Sequence, residues 1–488
     1  MSRIVKSKNE EVLRRTAKRC RERGIVVPTF AQMRDPSRIP AGLARRLPGL
    51  DANAVDPRNL FRITWKNDPQ TGLFGAPNHL ELPRAITGVK ARIVGLVGKH
   101  FPTGAHKVGA AFACLVPRLV SGEFDPERHK AVWPSTGNYC RGGAFDSAIL
   151  GCTAVAVLPE NMSKERFTWL REIGAEIIAT PGSESNVKEI YDECWRLKKD
   201  PKHLVFNQFE EFGNPIWHYS VTGPAVEEVF RALAGKRTRL AGWVSATGSA
   251  GTIGAGDYLK KTFPQAKVIA TEALQCPTLL QNGFGEHRIE GIGDKHVPWV
   301  HNVRNTDAVA AIDDEDCMRV LRLFNEPEGR AFLGRLGADP KAVEQLGLLG
   351  ISGICNVLAA IKAAKHWELD EDDVLFTVLT DSVELYRSRL AELTADRGPF
   401  GAVDAATAWV GSLERQADDH FRELTHADRK AIHNLKYFTW VEQQGKAHEE
   451  LNAQWSPEYW RALFEDEAVE FDRLIADFNR EVGLASEA

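Results

Sequence analysis

Short apolar runs alternate with amphipathic segments along the chain from about residue 130 onward. The runs are rich in β-branched residues and apolar at nearly every position, as is typical of strands buried on both faces of a parallel sheet. The predicted strands are Ala131–Pro134, Thr153–Leu158, Glu176–Ala179, Leu204–Asn207, Leu240–Ala246, Lys267–Thr271 and Val374–Leu379. The predicted intervening helices include Lys164–Ile173, Val187–Leu197 and Val226–Leu233. This alternation predicts an α/β fold with open parallel sheets.

Three regions depart from this alternation. Residues 1–97 are rich in proline and arginine and contain few clear strands, whereas the chain after Pro399 is helical and charged. The most apolar stretch, Leu346–Ile361, falls short of the ~20 apolar residues that a membrane-spanning helix needs. We therefore predict a buried loop and helix there and expect no membrane partner.

The composition favours a cytoplasmic protein that acts on a small molecule. The 62 basic and 66 acidic residues give a net charge of −4 with both signs interspersed, which argues against nucleic acid as a partner. The basic segment from Lys6 to Arg23 is interrupted by glutamates, whereas transit peptides are poor in acidic residues. None of the eight cysteines forms a C-x-x-C pair, so we expect free thiols and no metal site.

Parallel sheets of this kind bind ligands at the carboxyl ends of their strands. The loop from Ser135 to Asn138 follows one predicted strand and can hold a carboxylate, although helix capping would select the same residues. The small residues of Gly248–Thr252 would let backbone N–H groups approach a phosphate, and a tight turn is the alternative. Ser382 adds a hydroxyl after the last predicted strand.

Lys107 lies at the start of a predicted helix of small residues, directly after a turn. The helix dipole and desolvation both lower the pKa of an amine in this position. Such an amine can form a Schiff base with an aldehyde. Considered alone, the residue is better interpreted as a solvated surface lysine, because most lysines are.

Along the chain these segments occur in the order Lys107, the asparagine loop (Ser135–Asn138), the glycine loop (Gly248–Thr252) and Ser382. In this order, from about Pro77 to Arg389, the chain resembles the fold-type II pyridoxal 5′-phosphate (PLP) enzymes, and among them the cysteine synthase and cystathionine β-synthase group. Further matching segments are Gln208–Phe209, Asn214–Pro215, His218–Tyr219, Thr222–Pro224, Glu290–Gly293 with Pro298, and Asp381–Val383 with Tyr386. The segment Gly104–Lys107 is also similar to the tryptophan synthase β-subunit, but the glutamate and Gly-Ala-Gly-Gln-His loop needed for tryptophan synthesis are not found.

The resemblance implies that Lys107 is the catalytic residue, which holds PLP as a Schiff base and then serves as the base at Cα. The residues implied to bind the cofactor are Lys107, Asn138, Gly248, Ser249, Ala250, Gly251, Thr252 and Ser382. The residues implied to bind the substrate are Ser135, Thr136, Gly137, Asn138, Tyr139, Gln208 and Gly291.

The implied reaction is β-elimination or β-replacement on an amino acid through an aminoacrylate. A neutral Ser382 opposite the pyridine nitrogen would make the ring a weaker electron sink, which disfavours transamination. Three functions stay open: a β-replacement enzyme, an ammonia-lyase or β-eliminating lyase that forms pyruvate or another keto acid, and a non-catalytic PLP-binding subunit.

The resemblance also implies a homodimer and a division of the chain into four segments. The expected segments are 1–97, an N-terminal extension with part of the large domain; 98–222, a small mobile α/β domain with the lysine and asparagine loop; 223–398, the large cofactor domain; and 399–488, a helical C-terminal extension.

Three adjacent residues depart from the pattern of the group, namely Tyr139, Cys140 and Arg141. We hypothesise that Arg141 or Tyr139 recognises a second anionic or polar group of the substrate; the alternative is that Arg141 points to solvent. Cys140 is expected to be a packed, inert thiol. His106 is expected to be structural or to stack on the cofactor, and the run Trp217–Tyr219 to pack in the core.

Overall fold

The computed structural model describes residues 4–135, 137–182, 187–293 and 295–484. The strands are β1 (His79–Leu82), β2 (Arg92–Val97), β3 (Lys130–Pro134), β4 (Thr153–Pro159), β5 (Glu176–Thr180), β6 (His203–Val205), β7 (Arg239–Ala246), β8 (Lys267–Ala273), β9 (Ala308–Ile312), β10 (Asp373–Leu379) and β11 (Phe421–Glu423).

The α-helices cover the sheets and build the C-terminal region. They are α1 (Glu10–Glu22), α2 (Phe30–Arg34), α3 (Ala41–Ala44), α4 (Arg84–Thr87), α5 (Lys107–Val120), α6 (Asn138–Leu150), α7 (Lys164–Glu172), α8 (Val187–Lys198), α9 (Gly213–Trp217), α10 (Gly223–Leu233), α11 (Ile253–Thr262), α12 (Thr278–Gln281), α13 (Asp314–Asn325), α14 (Pro327–Arg335), α15 (Pro340–Gln345), α16 (Ile351–His366), α17 (Arg387–Arg397), α18 (Ala402–Trp409), α19 (His426–Lys436), α20 (His448–Ala453), α21 (Pro457–Arg461) and α22 (Glu467–Val482).

Short 3₁₀ and π-helical segments connect or extend these helices. The 3₁₀ segments are Pro36–Arg38, Pro57–Arg62, Gly98–His100, Pro102–Gly104, Val303–Asn305, Leu346–Leu348 and Val383–Tyr386. The π-helical segments are His218–Thr222, Val410–Glu414, Tyr437–Gln443 and Ala462–Asp466. Among the described residues, no helix combines the length and apolar character needed to cross a membrane.

The strands form two sheets. The larger has the order β1-β2-β10-β7-β8-β9-β11, with β1 and β11 antiparallel at its two edges and the five strands between them parallel. The smaller is wholly parallel, with the order β5-β4-β3-β6. The fold is therefore α/β, as the sequence predicts.

Both faces of the larger sheet are buried, because alternate side chains of a strand point to opposite faces. In β10, Phe376 and Val378 belong to one apolar core, whereas Leu375 and Leu379 belong to another on the opposite face. This double burial explains why the strand is apolar at nearly every position.

All seven strands predicted from the pattern are present, with small shifts at their ends. The predicted strand Leu204–Asn207 is shifted to His203–Val205. The N-terminal region was expected to contain few strands, yet it supplies β1 and β2 to the larger sheet. The C-terminal region is mostly helical, as expected, but also contributes β11.

Candidate active site

The residues predicted to be functional lie mainly after strands of the two parallel sheets. Lys107 follows β2, the asparagine loop follows β3, and Gln208 follows β6. The glycine loop follows β7, and Thr380 follows β10. Parallel strands end at the same edge of a sheet, and in this class of fold that edge carries the ligand site.

Lys107 faces a narrow cleft, about 20 Å³ in volume, that is lined by residues from the loops after strands of both sheets. Its Nζ donates to Ser249 Oγ at 3.2 Å and to Gln208 Oε1 at 3.4 Å. Burial lowers the pKa of Lys107 to about 8, because desolvation disfavours the charged amine. An amine that is neutral at moderate pH is a competent nucleophile for an aldehyde.

Small residues allow helix α5, which starts at Lys107, to lie deep in the molecule. A Cβ on Gly109 would lie 2.1 Å from the ring of Trp217. A Cβ on Gly142, in α6, would lie 2.7 Å from Val108 Cα. The Trp217 side chain is fully buried, so the expectation that it packs in the core is confirmed.

The glycine loop Gly248–Thr252 forms a cradle of backbone N–H groups before helix α11. Within the described parts of the chain, the N–H groups of Ser249 to Thr252 donate to no backbone carbonyl. Ala250 has φ +59, a left-handed conformation that turns the backbone sharply. A Cβ on Gly251 would lie 1.9 Å from Asn214 Oδ1. Free N–H groups at the start of a helix are suited to bind phosphate.

The asparagine loop closes another side of the cleft. Ser135 and Tyr139 line it, and the Ser135 hydroxyl accepts hydrogen bonds from Gly137 N at 3.1 Å and from Gln208 Nε2 at 3.4 Å. Asn138 Oδ1 is buried without a hydrogen-bond partner among the described residues. The predicted contact Thr136 lies outside the described residues.

The remaining predicted substrate contacts also lie at the cleft. Gln208 is 6% exposed and bridges Lys107 and Ser135 through its amide. Gly291 lines the cleft with φ +94, a conformation that favours glycine. The geometry therefore brings Lys107, Ser135, Asn138, Tyr139, Gln208, Gly248, Ser249 and Gly291 around a single space.

Ser382, the predicted partner of the pyridine nitrogen, lies after β10 and is buried. It is 2% exposed and precedes the 3₁₀ turn Val383–Tyr386, and it does not line the cleft beside Lys107. Thr380, two residues earlier, does line this cleft, and its hydroxyl lies 3.3 Å from His106 Nε2. Thr380 is a residue that sequence reasoning missed, although it adjoins the matched segment.

A buried polar network behind the asparagine loop was also missed. Asn138 Nδ2 donates to Asp381 Oδ2 at 2.7 Å, and Tyr386 Oη donates to the same oxygen at 2.7 Å. Arg166 Nη2 donates to Tyr386 Oη at 3.1 Å and lies 3.3 Å from Glu290 Oε2. The network orients Asn138 and joins the smaller sheet's helix α7 to the loop that carries Gly291. Asn138, Glu290, Asp381 and Tyr386 all lie in segments that match the group, whereas Arg166 belongs to no matched segment.

Arg141 does not point to solvent, so that alternative interpretation is wrong. Its side chain is 4% exposed, and its guanidinium lies 4.9 Å from the centre of the Trp169 ring. Nε and Nη1 are buried without a hydrogen-bond partner in the described structure. Burial and the nearby Arg166 lower the pKa of Arg141 to about 10.

The side chains of Cys140 and His106 are both fully buried, which fits the structural roles expected of them. Cys140 is fully buried, and burial raises the pKa of its thiol to about 12, which agrees with the expected inert thiol. The His106 ring is fully buried, 5.5 Å from the Trp65 ring and 5.1 Å from the His218 ring. Burial holds the pKa of His106 well below its usual value, so the ring is neutral.

Comparisons with known proteins point to one family. The family described as "Pyridoxal-phosphate dependent enzyme" matches residues 81–338. A cysteine synthase of Staphylococcus aureus is 31% identical over 322 residues, which are 66% of this chain and 96% of that protein. The cystathionine β-synthase of Saccharomyces cerevisiae is 27% identical over 64% of this chain and 60% of that protein.

A solved structure of similar fold is the hydrogen sulfide-producing enzyme of Fusobacterium nucleatum. A mutant of it, in complex with an α-aminoacrylate intermediate, is 27% identical to this chain. The TM-score is 0.54, and the match covers 64% of this chain and 87% of the other.

Proposed function

The chain belongs to the family of pyridoxal-phosphate dependent enzymes, and on that premise we propose that Lys107 binds the cofactor and that the surrounding loops direct the reaction. The protein is an enzyme whose cofactor is PLP, and its reaction is β-replacement or β-elimination on an amino acid. One observation carries the residue assignment: a desolvated lysine amine faces a cleft that also contains a backbone cradle suited to phosphate.

The residues around Lys107 fit this cofactor. The unsatisfied N–H groups of Ser249–Thr252 would hold the phosphate, and the amine of Lys107 would form the covalent link. Asn138 Oδ1, which has no hydrogen-bond partner among the described residues, would be available at the same cleft to contact the cofactor. A hydroxyl would face the ring nitrogen, and Thr380 is a second candidate for this position beside Ser382.

When bound, PLP supplies the electron sink that makes the Cα–H bond of an amino acid acidic and allows a β-substituent to leave. The protein supplies orientation. Ser135, Gln208 and the N–H groups of the asparagine loop would hold the substrate carboxylate. Lys107 Nζ, once released by the substrate, would accept the Cα proton, since burial favours its neutral form.

Reductive trapping tests the assignment of Lys107. Borohydride treatment of the wild-type holoenzyme should fix the cofactor on the peptide that contains Lys107, as read by mass spectrometry. Lys107→Ala should lose this modification and lower kcat by about 10²-fold or more. Lys188→Ala, an exposed lysine of α8, is the matched control and should behave as wild type. Trapping on another lysine would contradict the proposal.

β-Replacement and β-elimination differ in whether a second substrate reacts. The cysteine synthase relatives favour replacement, whereas the structural similarity to a hydrogen sulfide-producing enzyme favours elimination. β-Substituted amino acids should be assayed for pyruvate with and without added thiols or amines. Suppression of pyruvate together with formation of a new amino acid identifies a replacement enzyme; unchanged pyruvate formation identifies a lyase.

We propose that Arg141 recognises a second anionic group of the substrate. The buried guanidinium makes no described hydrogen bond, and the nearby Asp381 carboxylate accepts its hydrogen bonds from Asn138 and Tyr386 instead, so a substrate anion would supply the missing partner. Arg141→Ala should therefore lower kcat/KM for acidic β-substituted amino acids at least about tenfold relative to neutral ones. Arg171→Ala, an exposed arginine of α7, is the control. If Arg141→Ala leaves this selectivity unchanged, the hypothesis is wrong.

We further propose a cytoplasmic homodimer in which residues 98–222 move as a small domain against 223–398. All strands of the smaller sheet lie within 98–222, while the larger sheet takes strands from 1–97, 223–398 and 399–488. The eight cysteines are free, which fits a reducing compartment. The dimer rests on the family resemblance, and sedimentation of the holoenzyme tests it.

A further inference from the structure

A second cavity lies beside the C-terminal helices, and no residue that lines it also lines the Lys107 cleft. Its volume of about 410 Å³ is within the range of small-molecule sites, and it is open to solvent. Its lining differs in chemistry from floor to mouth, and this difference indicates what could bind.

The floor of the cavity contains two buried acceptor oxygens that lack partners. Asp257, which is 8% exposed, accepts hydrogen bonds at Oδ1 from Asn302 Nδ2 at 2.7 Å and Asn305 Nδ2 at 2.5 Å. In the described structure, its Oδ2 and the Oδ1 of Asn302 are buried without a hydrogen bond. Buried acceptors are normally satisfied. A ligand that presents an amino group here would satisfy them.

The walls of the cavity are aromatic. The rings of Tyr219 and Phe464 are stacked, with centroids 4.6 Å apart and planes 3° apart. The Trp460 ring lies 5.9 Å from that of Phe464. Flat aromatic surfaces of this kind favour a planar ligand.

The mouth of the cavity carries three cations. Lys261 pairs with Glu465 at 2.7 Å, and Arg304 Nη1 donates to Trp455 O at 2.6 Å. Arg461 is exposed, and its guanidinium makes no hydrogen bond or ion pair with any described residue. Its guanidinium is therefore available to an anion at the mouth.

We propose that this cavity binds a small molecule with an amino group on a planar head and an anionic tail, the chemistry of an adenine nucleotide. The amino group would donate to Asp257 and Asn302, the head would pack against the aromatic walls, and the tail would meet Arg461. A 4-aminobenzoate ion shares this chemistry in a smaller body, because its amino group and its carboxylate lie at opposite ends of a planar ring. This site is separate from the one that carries the proposed function.

Calorimetric titration of the PLP-loaded enzyme with AMP, and separately with 4-aminobenzoate, tests the proposal. AMP is expected to bind one site per chain, and binding of 4-aminobenzoate without binding of AMP would show that the smaller molecule is the ligand. Arg461→Ala and Asp257→Asn should each weaken the binding at least tenfold while leaving the β-elimination or β-replacement rate unchanged. Arg415→Ala, an exposed arginine outside the cavity, is the control.

The proposal is overturned if neither probe binds at millimolar concentration, or if both cavity variants bind as wild type does. Wild-type affinity in the variants would place the probe elsewhere, for example at the Lys107 cleft. Asp257→Asn is nearly isosteric, and its melting temperature shows whether it folds. Arg461 is exposed, so the Arg461→Ala result holds even if the other variant is unstable.

Discussion

The reactivity of Lys107 depends on its ionisation as well as on its position. Burial lowers the pKa of its amine to about 8, whereas a solvated lysine titrates near ~10.4. The neutral fraction, which attacks an aldehyde, therefore rises as the pH increases toward 8 and changes little above it. The surroundings of the amine thus place its reactive form within the physiological range.

We predict that the rate of covalent PLP uptake by the PLP-stripped protein rises about tenfold per pH unit below pH 8 and then levels off. Stopped-flow absorbance measures the rate. The same measurement with a free lysine derivative is the control, and its rate should continue to rise toward pH ~10. If the rate for the protein levels off at the same pH as the rate for the free amine, the site does not desolvate Lys107.

The sequence predicted the residues that lie in ordered, matched segments, but not their environments. Lys107, Gln208 and Gly291 could be predicted because each belongs to a segment that matches the fold-type II PLP enzymes. The burial of Arg141 depends on the position of Trp169 on a different helix, which no local pattern contains. The placement of Thr380 rather than Ser382 on the cleft depends on how the chain leaves β10.

At the scale of elements, glycine positions determine how closely helix α5 can approach its neighbours. Gly109→Ala would place a Cβ 2.1 Å from the buried Trp217 ring, so helix or ring must move. We expect a loss of about 1–3 kcal/mol in the free energy of unfolding. We also expect a lower kcat, because Lys107 begins the same helix. Urea denaturation and steady-state assays measure the two effects.

Gly334→Ala is the matched control for this prediction. Gly334 also lies in a helix, α14, but nothing lies within 4 Å of a Cβ built on it. The change should stabilise the protein by up to about 1 kcal/mol through helix propensity and leave kcat unchanged. If Gly109→Ala and Gly334→Ala changed the free energy of unfolding and kcat equally, the close packing of α5 would not be the cause of the Gly109→Ala effects.

The pattern missed β1, β2, β9 and β11; β2 carries a clear apolar run, whereas the other three have weak periodic signals. Strands β1 and β11 are short edge strands whose exposed positions interrupt the apolar run. Strand β9 is a run of alanine, valine and isoleucine, which by periodicity alone cannot be told from a buried helix segment. Only pairing with residues distant in sequence identifies them.

At the scale of the whole molecule, the C-terminal helix binds the N-terminal segment. Asp472 of α22 accepts hydrogen bonds from Phe30 N at 2.6 Å and Ala31 N at 3.0 Å, and so caps helix α2. Asn479 of the same helix donates to Val27 O at 2.7 Å. These contacts join the two ends of the chain, which the sequence pattern alone did not relate.

Asp472→Ala should therefore lower the free energy of unfolding by about 2 kcal/mol, because two N–H groups at the start of α2 lose their acceptor in a half-buried position. Asp477→Ala, on the same helix, removes only exposed ion pairs with Arg473 and Arg480 and should change stability by less than about 0.5 kcal/mol. Urea denaturation followed by tryptophan fluorescence compares the two variants. Since α22 also packs against α5, the helix that begins at Lys107, a destabilised Asp472→Ala should also release PLP faster than wild type. Equal stability of the two variants would mean that the ends of the chain are held together by apolar packing alone.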